Sequence, residues 1–419
     1  LRYRKLPPCQ AACPAHVNIQ AYVALIQRGK FKEAVEVIRR DMPFPAICGR
    51  VCFAPCEKAC VRSGIDQAVA IRSLKRLAAD IERELSPVRG EPLPKKHDKK
   101  IAVIGAGPAG LSAAYFLVRM GYPVTVFERA EKPGGKLWQI PERLLERFVI
   151  ASEVAFIQDL GVEIVCNAEI GRGYLEVLRK EYDAVFIACG KISEESPISP
   201  ELLDGDQRNP VIVVDPETMA TKITRIFAGG DAVRKRLSGV VQAVADGKRA
   251  AASIHRYLSG LDLEAGRETI IEVTWVKDRK AIVKKPQRYF VRKGERKPRI
   301  DFDDAPALLE EIKRRARLEA LRCLSCGPCE ECLAGTGLCD LERPIVDENL
   351  CIGCGICMSA CPYGAISRNE RAVAQIDFEL CKGCGICVTR CPVSAIKMEH
   401  SASHQAVEQV VAGFRRRGE

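Results

Sequence analysis

Eight cysteines between residues 351 and 391 fall into two copies of one spacing. Cys351, Cys354, Cys357 and Cys361-Pro362 make the first copy; Cys381, Cys384, Cys387 and Cys391-Pro392 make the second. Both read C-x2-C-x2-C-x3-C-P. Thiolates at this spacing suit a cubane of iron and sulfide, which needs tetrahedrally arranged ligands and carries one electron at a time. Three closely spaced cysteines on one short loop wrap three corners. Gly353, Gly355, Gly383 and Gly385 sit between ligands, where backbone must pass sulfide without a Cβ in the way. Disulfides and zinc are the competing readings, and two perfect copies weigh against both.

The double run resembles that of bacterial-type ferredoxins, which hold two 4Fe-4S clusters and send the last cysteine of each copy to the other cluster. The resemblance implies Cys351, Cys354, Cys357 and Cys391 on one cluster. Cys381, Cys384, Cys387 and Cys361 then hold the other. The remaining chain must supply electrons to these clusters or remove them.

Residues 100–128 read KIAVIGAGPAGLSAAYFLVRMGYPVTVFE. A short apolar strand leads into Gly105, Gly107 and Gly110 of a G-x-G-x-x-G turn that includes Pro108 and Ala109. An apolar-faced helix and a second strand follow, ending at Glu128 and Arg129. This is the βαβ dinucleotide fingerprint in its required context, with an acid about 18 positions after the last glycine for the ribose hydroxyls. The glycines allow a tight turn and close approach of pyrophosphate to a helix N-terminus. Downstream, TKITRIFAGGD at 221–231 precedes a helix rich in small residues from Val240 to Leu258. The chain here resembles the flavoproteins with two dinucleotide domains, in which a strand ending in Gly-Asp contacts the FAD ribityl chain. Gly230 and Asp231 match that position, Gly134-Gly135 resembles the paired glycines after the ribose-binding strand, and AVFIACG at 184–190 the strand before the crossover. The resemblance implies FAD rather than NAD. Cys166 and Cys189 lie on apolar strands and read as core.

With FPAICGRVCFAPCEKAC at 44–60 ahead of this domain, roughly residues 9–260 resemble the small-subunit family of NADPH-dependent glutamate synthase, shared by the N-terminal half of dihydropyrimidine dehydrogenase. That family inserts an NAD(P)H-binding domain between the halves of the FAD domain. Here about 25 residues separate Gly190 from Asp215, against the order of 100 that such a domain needs. The expectation is that the NAD(P)H domain is absent, so any NAD(P) would bind over the flavin or at a partner interface.

The N-terminal segment carries Cys9, Cys13, Cys48, Cys52, Cys56 and Cys60. The resemblance implies two clusters here, with further ligands from a C-x2-C pair, and six cysteines cannot fill eight sites. Arg322-Cys323-Leu324-Ser325-Cys326-Gly327 resembles the missing opening. One reading completes a cluster from Cys9, Cys60, Cys323 and Cys326; the other gives Cys326, Cys329, Cys332 and Cys339 a local cubane, with zinc as a competing metal. The expected total is about four clusters, with three or five as the alternatives and two as the minimum.

The fold class expected is multidomain, with an α-helical Fe-S domain, an α/β Rossmann-like FAD domain and an α+β ferredoxin-like domain for two 4Fe-4S clusters. The segments expected are a helical cysteine-rich domain at 1–86, a linker at 87–99 and the FAD domain at 100–260. A connector of strands and helix follows at 261–322, then a cysteine-rich stretch at 323–345, the ferredoxin domain at 346–400 and a tail at 401–419. The 21 clustered cysteines point to metal ligation in a reducing compartment, read as cytoplasmic. No apolar run is long enough to span a bilayer. The chain opens at Leu1 rather than Met, which leaves targeting open. The net charge of +11 accompanies no base-reading motif and suits acidic protein partners rather than nucleic acid. His16 and His255 read as packing or solvated.

A flavin takes two electrons and releases them singly, so flavin and clusters in one chain make a converter between one- and two-electron carriers. No side chain stands out as a substrate-activating catalytic group. The expected function is an electron-transfer subunit of a larger anaerobic oxidoreductase, with ferredoxin or other subunits as partners. The resemblance suggests complexes oxidising 2-oxoacids or aldehydes, such as the phenylglyoxylate:NAD type. The alternatives are an internal relay that never touches NAD(P), and a scaffold whose FAD is structural.

Overall fold

The computed structural model describes residues 2–85, 89–171, 174–192, 198, 202–204, 210–265, 268–272, 306–324, 326, 342–377 and 380–400. The first part of the chain runs β1 (Arg2–Leu6), α1 (Pro8–Ala11), α2 (Ile19–Gln27), α3 (Phe31–Asp41), α4 (Pro45–Val51), α5 (Pro55–Lys58) and α6 (Ile71–Leu85). A βα-alternating part follows: β2 (Ile101–Ile104), α7 (Pro108–Arg119), β3 (Val124–Phe127), α8 (Arg147–Asp159), β4 (Glu163–Val165), α9 (Tyr174–Glu181) and β5 (Ala184–Ile187). Then come β6 (Leu203–Asp204), β7 (Val211–Ile212), β8 (Ile226–Ala228) and α10 (Val240–Leu258). The last part holds β9 (Glu268–Glu272), α11 (Pro306–Ala320), β10 (Glu342–Val346), α12 (Ile356–Ala360), β11 (Ile366–Arg368), β12 (Ala374–Ile376), α13 (Ile386–Arg390) and β13 (Ile396–His400).

Contacts divide the chain into two compact units, one of Leu1–Val37, Ala54–Leu74 and Glu268–Glu419, the other of Ile38–Phe53 and Lys75–Arg267. The division does not follow the linear order of the segments. The stretch 38–53, with Cys48 and Cys52, folds with the dinucleotide-binding part.

In the second unit a five-stranded parallel sheet has the order β4-β3-β2-β5-β8. Ile101 pairs with Val124 on one side and Ala184 on the other. The central strands β2 (IAVI) and β5 (AVFI) are buried at every position. Strands covered on both faces read as continuous apolar runs, as these do. Small residues let α10 lie close to α7: a Cβ on Gly247 would stand 2.3 Å from the Ala109 carbonyl oxygen. Glu153 on α8 is buried and accepts hydrogen bonds from Ala46 N (2.7 Å) and Ile47 N (2.9 Å) at the start of α4.

In the first unit, Asn18 caps α2 by accepting from Ala21 N at 3.1 Å, and Gly29 ends it with a φ of +75°. The α2 helix packs on α11, where Arg317 Nε donates to the Gln27 carbonyl at 3.2 Å. β1 and β9 pair in parallel, Arg2 opposite Glu268. The C-terminal segment is built of two antiparallel pairs, β10 with β13 and β11 with β12, and two short helices that touch, α12 and α13. Its core contains Cys357, Cys361, Cys381 and Cys387 among Ala365, Ile366, Ala374 and Ile396. Among the described residues no helix is long and apolar enough to cross a membrane. Of the connector expected over 261–322, residues 261–265, β9 and 306–322 are described and the remainder lies outside the described residues, as does the tail.

Candidate metal and flavin centres

Each C-x2-C-x2-C loop ends at a glycine with positive φ that opens a five-residue helix: Gly355 (+78°) before α12 and Gly385 (+69°) before α13. Those helices carry Cys357 and Cys387 inward. The chain then turns at Cys361 and Cys391, whose sulfurs accept from Ala365 N (3.3 Å) and Ala395 N (3.2 Å). Two cavities result. One is lined by Cys351, Cys354, Cys357 and Cys391, the other by Cys361, Cys381, Cys384 and Cys387. These are the groupings that the ferredoxin resemblance implies. Burial pushes the Cys387 thiol up to about 12, and the facing Cys384, Cys381 and Cys361 add to the shift. Cys357 is raised by burial and by Cys351 and Cys354. Thiols that oppose one another's ionisation around a cavity fit a cationic core that compensates several thiolates at once.

A third four-cysteine cavity lies elsewhere in the same unit. Cys9 on α1, Cys60 after α5, and Cys323 and Cys326 after α11 line it together with Ile19, Gln20 and Val23 of α2. Burial raises the Cys9 thiol well above its ordinary value, and Cys323, Cys60, Cys56 and Cys326 raise it further. Cys326 is thus placed with Cys9, Cys60 and Cys323; Cys329, Cys332 and Cys339 lie outside the described residues. Cys13 and Cys56 are buried in the first unit. Cys48 and Cys52 are buried in the second, one turn apart at the end of α4, Cys52 N donating to the Cys48 carbonyl at 3.2 Å.

A buried ion network positions Cys323. Arg322 is fully buried. Its guanidinium donates to Glu319 Oε1 (2.7 Å), Asp66 Oδ1 (2.9 Å) and the Gln67 carbonyl. Arg62, which also lines the cavity, donates to the Arg322 carbonyl at 2.8 Å and to Asp66 at 2.7 Å. Glu319 in turn accepts from Ala70 N at 2.8 Å. Hydrogen bonds from Arg62, with Gln67 N and Arg322 beside it, hold the Asp66 carboxyl down at about 2. Arg62, Asp66 and Glu319 belong to no motif, and spacing does not reveal them.

The dinucleotide site lies at the carboxyl ends of β2 and β3. Gly110 is forced by contact, because a Cβ there would lie 1.9 Å from the Gly105 carbonyl oxygen. Gly107 is the opposite case: a Cβ there would meet no protein atom within 4 Å. That open side faces no side-chain cap at the start of α7, whose first N–H groups are left for an anion. Glu128 is buried; its Oε2 accepts from Ala106 N (2.7 Å) and its Oε1 from Ala130 N (2.9 Å). A carboxylate has lone pairs beyond these two, so ribose hydroxyls can still be bound. Gly134 N donates to the Ala106 carbonyl at 2.8 Å, and Gly135 approaches Gly107. Pro108 is the first residue of α7, and Ala109 packs toward Gly230. Arg129 lies near enough to Cys189 to lower its thiol, though burial carries that thiol up to about 11. Asp231 is drawn up by burial, but bonds from Ser238 N and Oγ (both 2.9 Å) and Lys136 (3.2 Å) hold it below its ordinary value. Gly230 N donates to the fully buried Asp246 at 3.0 Å. The residues fit a dinucleotide with its pyrophosphate at Gly107. Cys189 packs half-buried against the sheet core, and His255 bonds the Tyr122 hydroxyl at 2.8 Å. His16 lies against the Gln10 carbonyl at 3.2 Å.

Residues 3–86 match the family described as dihydropyrimidine dehydrogenase domain II, 4Fe-4S cluster. Residues 64–247 match pyridine nucleotide-disulphide oxidoreductase, and residues 344–398 the 4Fe-4S dicluster domain. The chain is 42% identical over 189 residues to NADPH-Fe(3+) oxidoreductase subunit beta of Geobacter sulfurreducens, a match covering 44% of this chain and 28% of that one. It is 41% identical over 206 residues to NADP(+)-dependent formate dehydrogenase subunit beta of Moorella thermoacetica, covering 44% and 29%. It is 34% identical over 215 residues to the glutamate synthase [NADPH] small chain of Bacillus subtilis, covering 51% and 43%. The chain thus spans less than half the length of these relatives. The polypeptide joins a helical 4Fe-4S segment, a Rossmann-like FAD-binding domain and a ferredoxin-type 4Fe-4S dicluster domain, with FAD and 4Fe-4S clusters as its cofactors.

Proposed function

We propose that this chain is an electron-transfer subunit of a multi-subunit oxidoreductase, passing electrons between 4Fe-4S clusters and FAD. The observation that carries this is the presence of three four-cysteine cavities and one dinucleotide site in a single polypeptide. The ligand sets proposed are Cys351/Cys354/Cys357/Cys391, Cys361/Cys381/Cys384/Cys387 and Cys9/Cys60/Cys323/Cys326. FAD, when bound, supplies the exchange between two-electron and one-electron carriers. The chain's own residues hold the pyrophosphate at Gly105, Gly107 and Gly110, the ribose at Glu128, and the ribityl side at Gly230 and Asp231. The names of the relatives support NAD(P) as the two-electron partner and a dehydrogenase or reductase complex as the setting. The partners proposed are other subunits of such a complex or a ferredoxin, in the cytoplasm, with a 2-oxoacid or aldehyde oxidoreductase as the electron source.

One observation favours an internal relay that does not use NAD(P). Between β5 and β8 the described residues hold only the short β6–β7 pair. Anaerobic mixing with NADH or NADPH separates the readings. Reduction of the flavin and then of the clusters supports direct exchange with the nucleotide. A chain that neither nucleotide reduces, but that reduced ferredoxin bleaches, is a relay.

A further inference from the structure

The dinucleotide turn carries no positive charge of its own. Gly105 to Gly110 hold no ionisable side chain, and the groups that flank them, Glu128 and Asp231, are both carboxylates. A pyrophosphate diester is a dianion, and like charges a few ångströms apart in a partly buried site repel. A cation is needed nearby, and Lys136 supplies one.

The local fold puts it there. Gly134 and Gly135, with φ of +129° and +55°, swing the chain back over the turn, so that a Cβ on Gly135 would stand 3.0 Å from Gly107 Cα. A short 3-10 turn, Gly135–Gln139, follows, closed by Trp138 Nε1 donating to the Pro133 carbonyl at 2.9 Å. Within it Leu137 is buried, while the side chain of its neighbour Lys136 is 46% exposed and pairs with Asp231 Oδ2 at 3.2 Å. From Asp231 the chain leads back to α7: a Cβ on Gly230 would stand 3.0 Å from the Ala109 Cβ, in the first turn of that helix. Gly107, Ala109, Gly230, Asp231, Lys136 and Gly135 thus encircle the uncapped start of α7, with the Lys136 ammonium on the rim.

The ion pair is not needed to hold Asp231. Its Oδ1 already accepts from Ser238 N and Oγ, both at 2.9 Å. Gly230 is anchored separately, its N–H on Asp246 at 3.0 Å and its carbonyl accepting from Arg234 at 2.9 Å. A half-exposed pair of this kind adds little to stability. We infer that Lys136 is a further ligand for FAD: its ammonium lies between the carboxylate on the ribityl side and the pyrophosphate at Gly107, and offsets the repulsion between them. The inference rests on the dinucleotide site proposed above.

The test uses the full chain with its clusters in place, stripped of flavin. It is titrated with FAD, followed by quenching of flavin fluorescence, and with ADP, which carries the diphosphate without the ribityl chain, followed by calorimetry. Lys136→Met keeps the length of the side chain and removes its charge. Its FAD affinity should fall about tenfold, and its ADP affinity should fall with it. The thermal midpoint without flavin and the iron content should stay at the parent's values. Raising the ionic strength should weaken FAD binding by the parent, and weaken it less in Lys136→Met. Lys136→Arg, which keeps the charge, should bind FAD within about threefold of the parent. FAD affinity and salt dependence in Lys136→Met equal to the parent's would make the pair a surface contact only and overturn the inference. Weakened FAD binding with ADP binding unchanged would overturn the place given to the ammonium beside the pyrophosphate. Gly107→Ala is the control for the site itself: if it too binds FAD like the parent, the dinucleotide site lies elsewhere, a failure distinct from that of Lys136.

Discussion

Arg322 and Asp66, 256 positions apart, are joined by a 2.9 Å hydrogen-bonded ion pair in which the guanidinium is fully buried. The pair fastens the residue before Cys323 to the loop that follows Cys60. The proposed ligand set Cys9/Cys60/Cys323/Cys326, drawn from both parts of the chain, depends on it.

Arg322→Ala should therefore act on the centre as well as on the fold. Removing one partner of a buried pair costs about 3–5 kcal/mol, because Asp66 and Glu319 keep uncompensated charge. The expected result is a lower thermal midpoint and the loss of about four iron atoms per chain, with flavin content unchanged. Asp66 adds a pH dependence. Its carboxyl is held at about 2, below its ordinary 3.8. Its contribution, on the order of 2 kcal/mol, is complete above the ordinary value and is lost as pH falls toward about 2. Acid titration of the reconstituted chain followed by iron release checks this.

Glu153 has the opposite sign. Burial lifts its carboxyl from 4.5 to about 7, against the hydrogen bonds from Ile47 N and Ala46 N. Between those values the folded state binds more protons than the unfolded chain, so stability falls as pH rises through this window, by ~3 kcal/mol in all. The thermal midpoint of flavin release should drop between about pH 5 and pH 8. Glu153→Gln has one acceptor oxygen for two backbone donors, so it should be less stable at the acid end and nearly flat across the window. A parent protein with no slope would contradict the account of Glu153.

Two glycines of one turn should fail in different ways. Gly110→Ala places a methyl against the Gly105 carbonyl and should lower the folding midpoint and abolish flavin binding together. Gly107→Ala meets no protein atom. Its midpoint without flavin should stay within about 0.5 kcal/mol of the parent. Its FAD affinity should fall roughly tenfold or more, about 1.4 kcal/mol, because the methyl stands where pyrophosphate approaches the start of α7. Unchanged FAD binding in Gly107→Ala would place the pyrophosphate elsewhere.

The cysteine spacing and the βαβ turn were legible because both are local: ligands three or four positions apart, and a glycine turn between two apolar strands. The parallel pairing of Arg2–Leu6 with Glu268–Glu272 was not, since no periodicity links strands so far apart. Nor was the Arg322–Asp66–Arg62–Glu319 network, where ordinary charged residues become special only through burial. The resemblance of RCLSC at 322–326 to the opening of the related N-terminal cysteine motif pointed to Cys9 and Cys60. Spacing alone could not choose between that set and a local cubane, because both start from the same C-x2-C. Assignment of 38–53 to the flavin-binding unit escaped the linear reading as well, since it depends on α4 meeting Glu153 of α8.

The most direct test of the account is an anaerobic dithionite titration of the reconstituted full chain, with flavin and cluster absorbance followed separately. Flavin and clusters that both bleach, and that re-equilibrate with each other after each addition, are the predicted result. A flavin that stays oxidised at excess dithionite while the clusters are reduced would contradict it, and would leave the FAD as a structural element only.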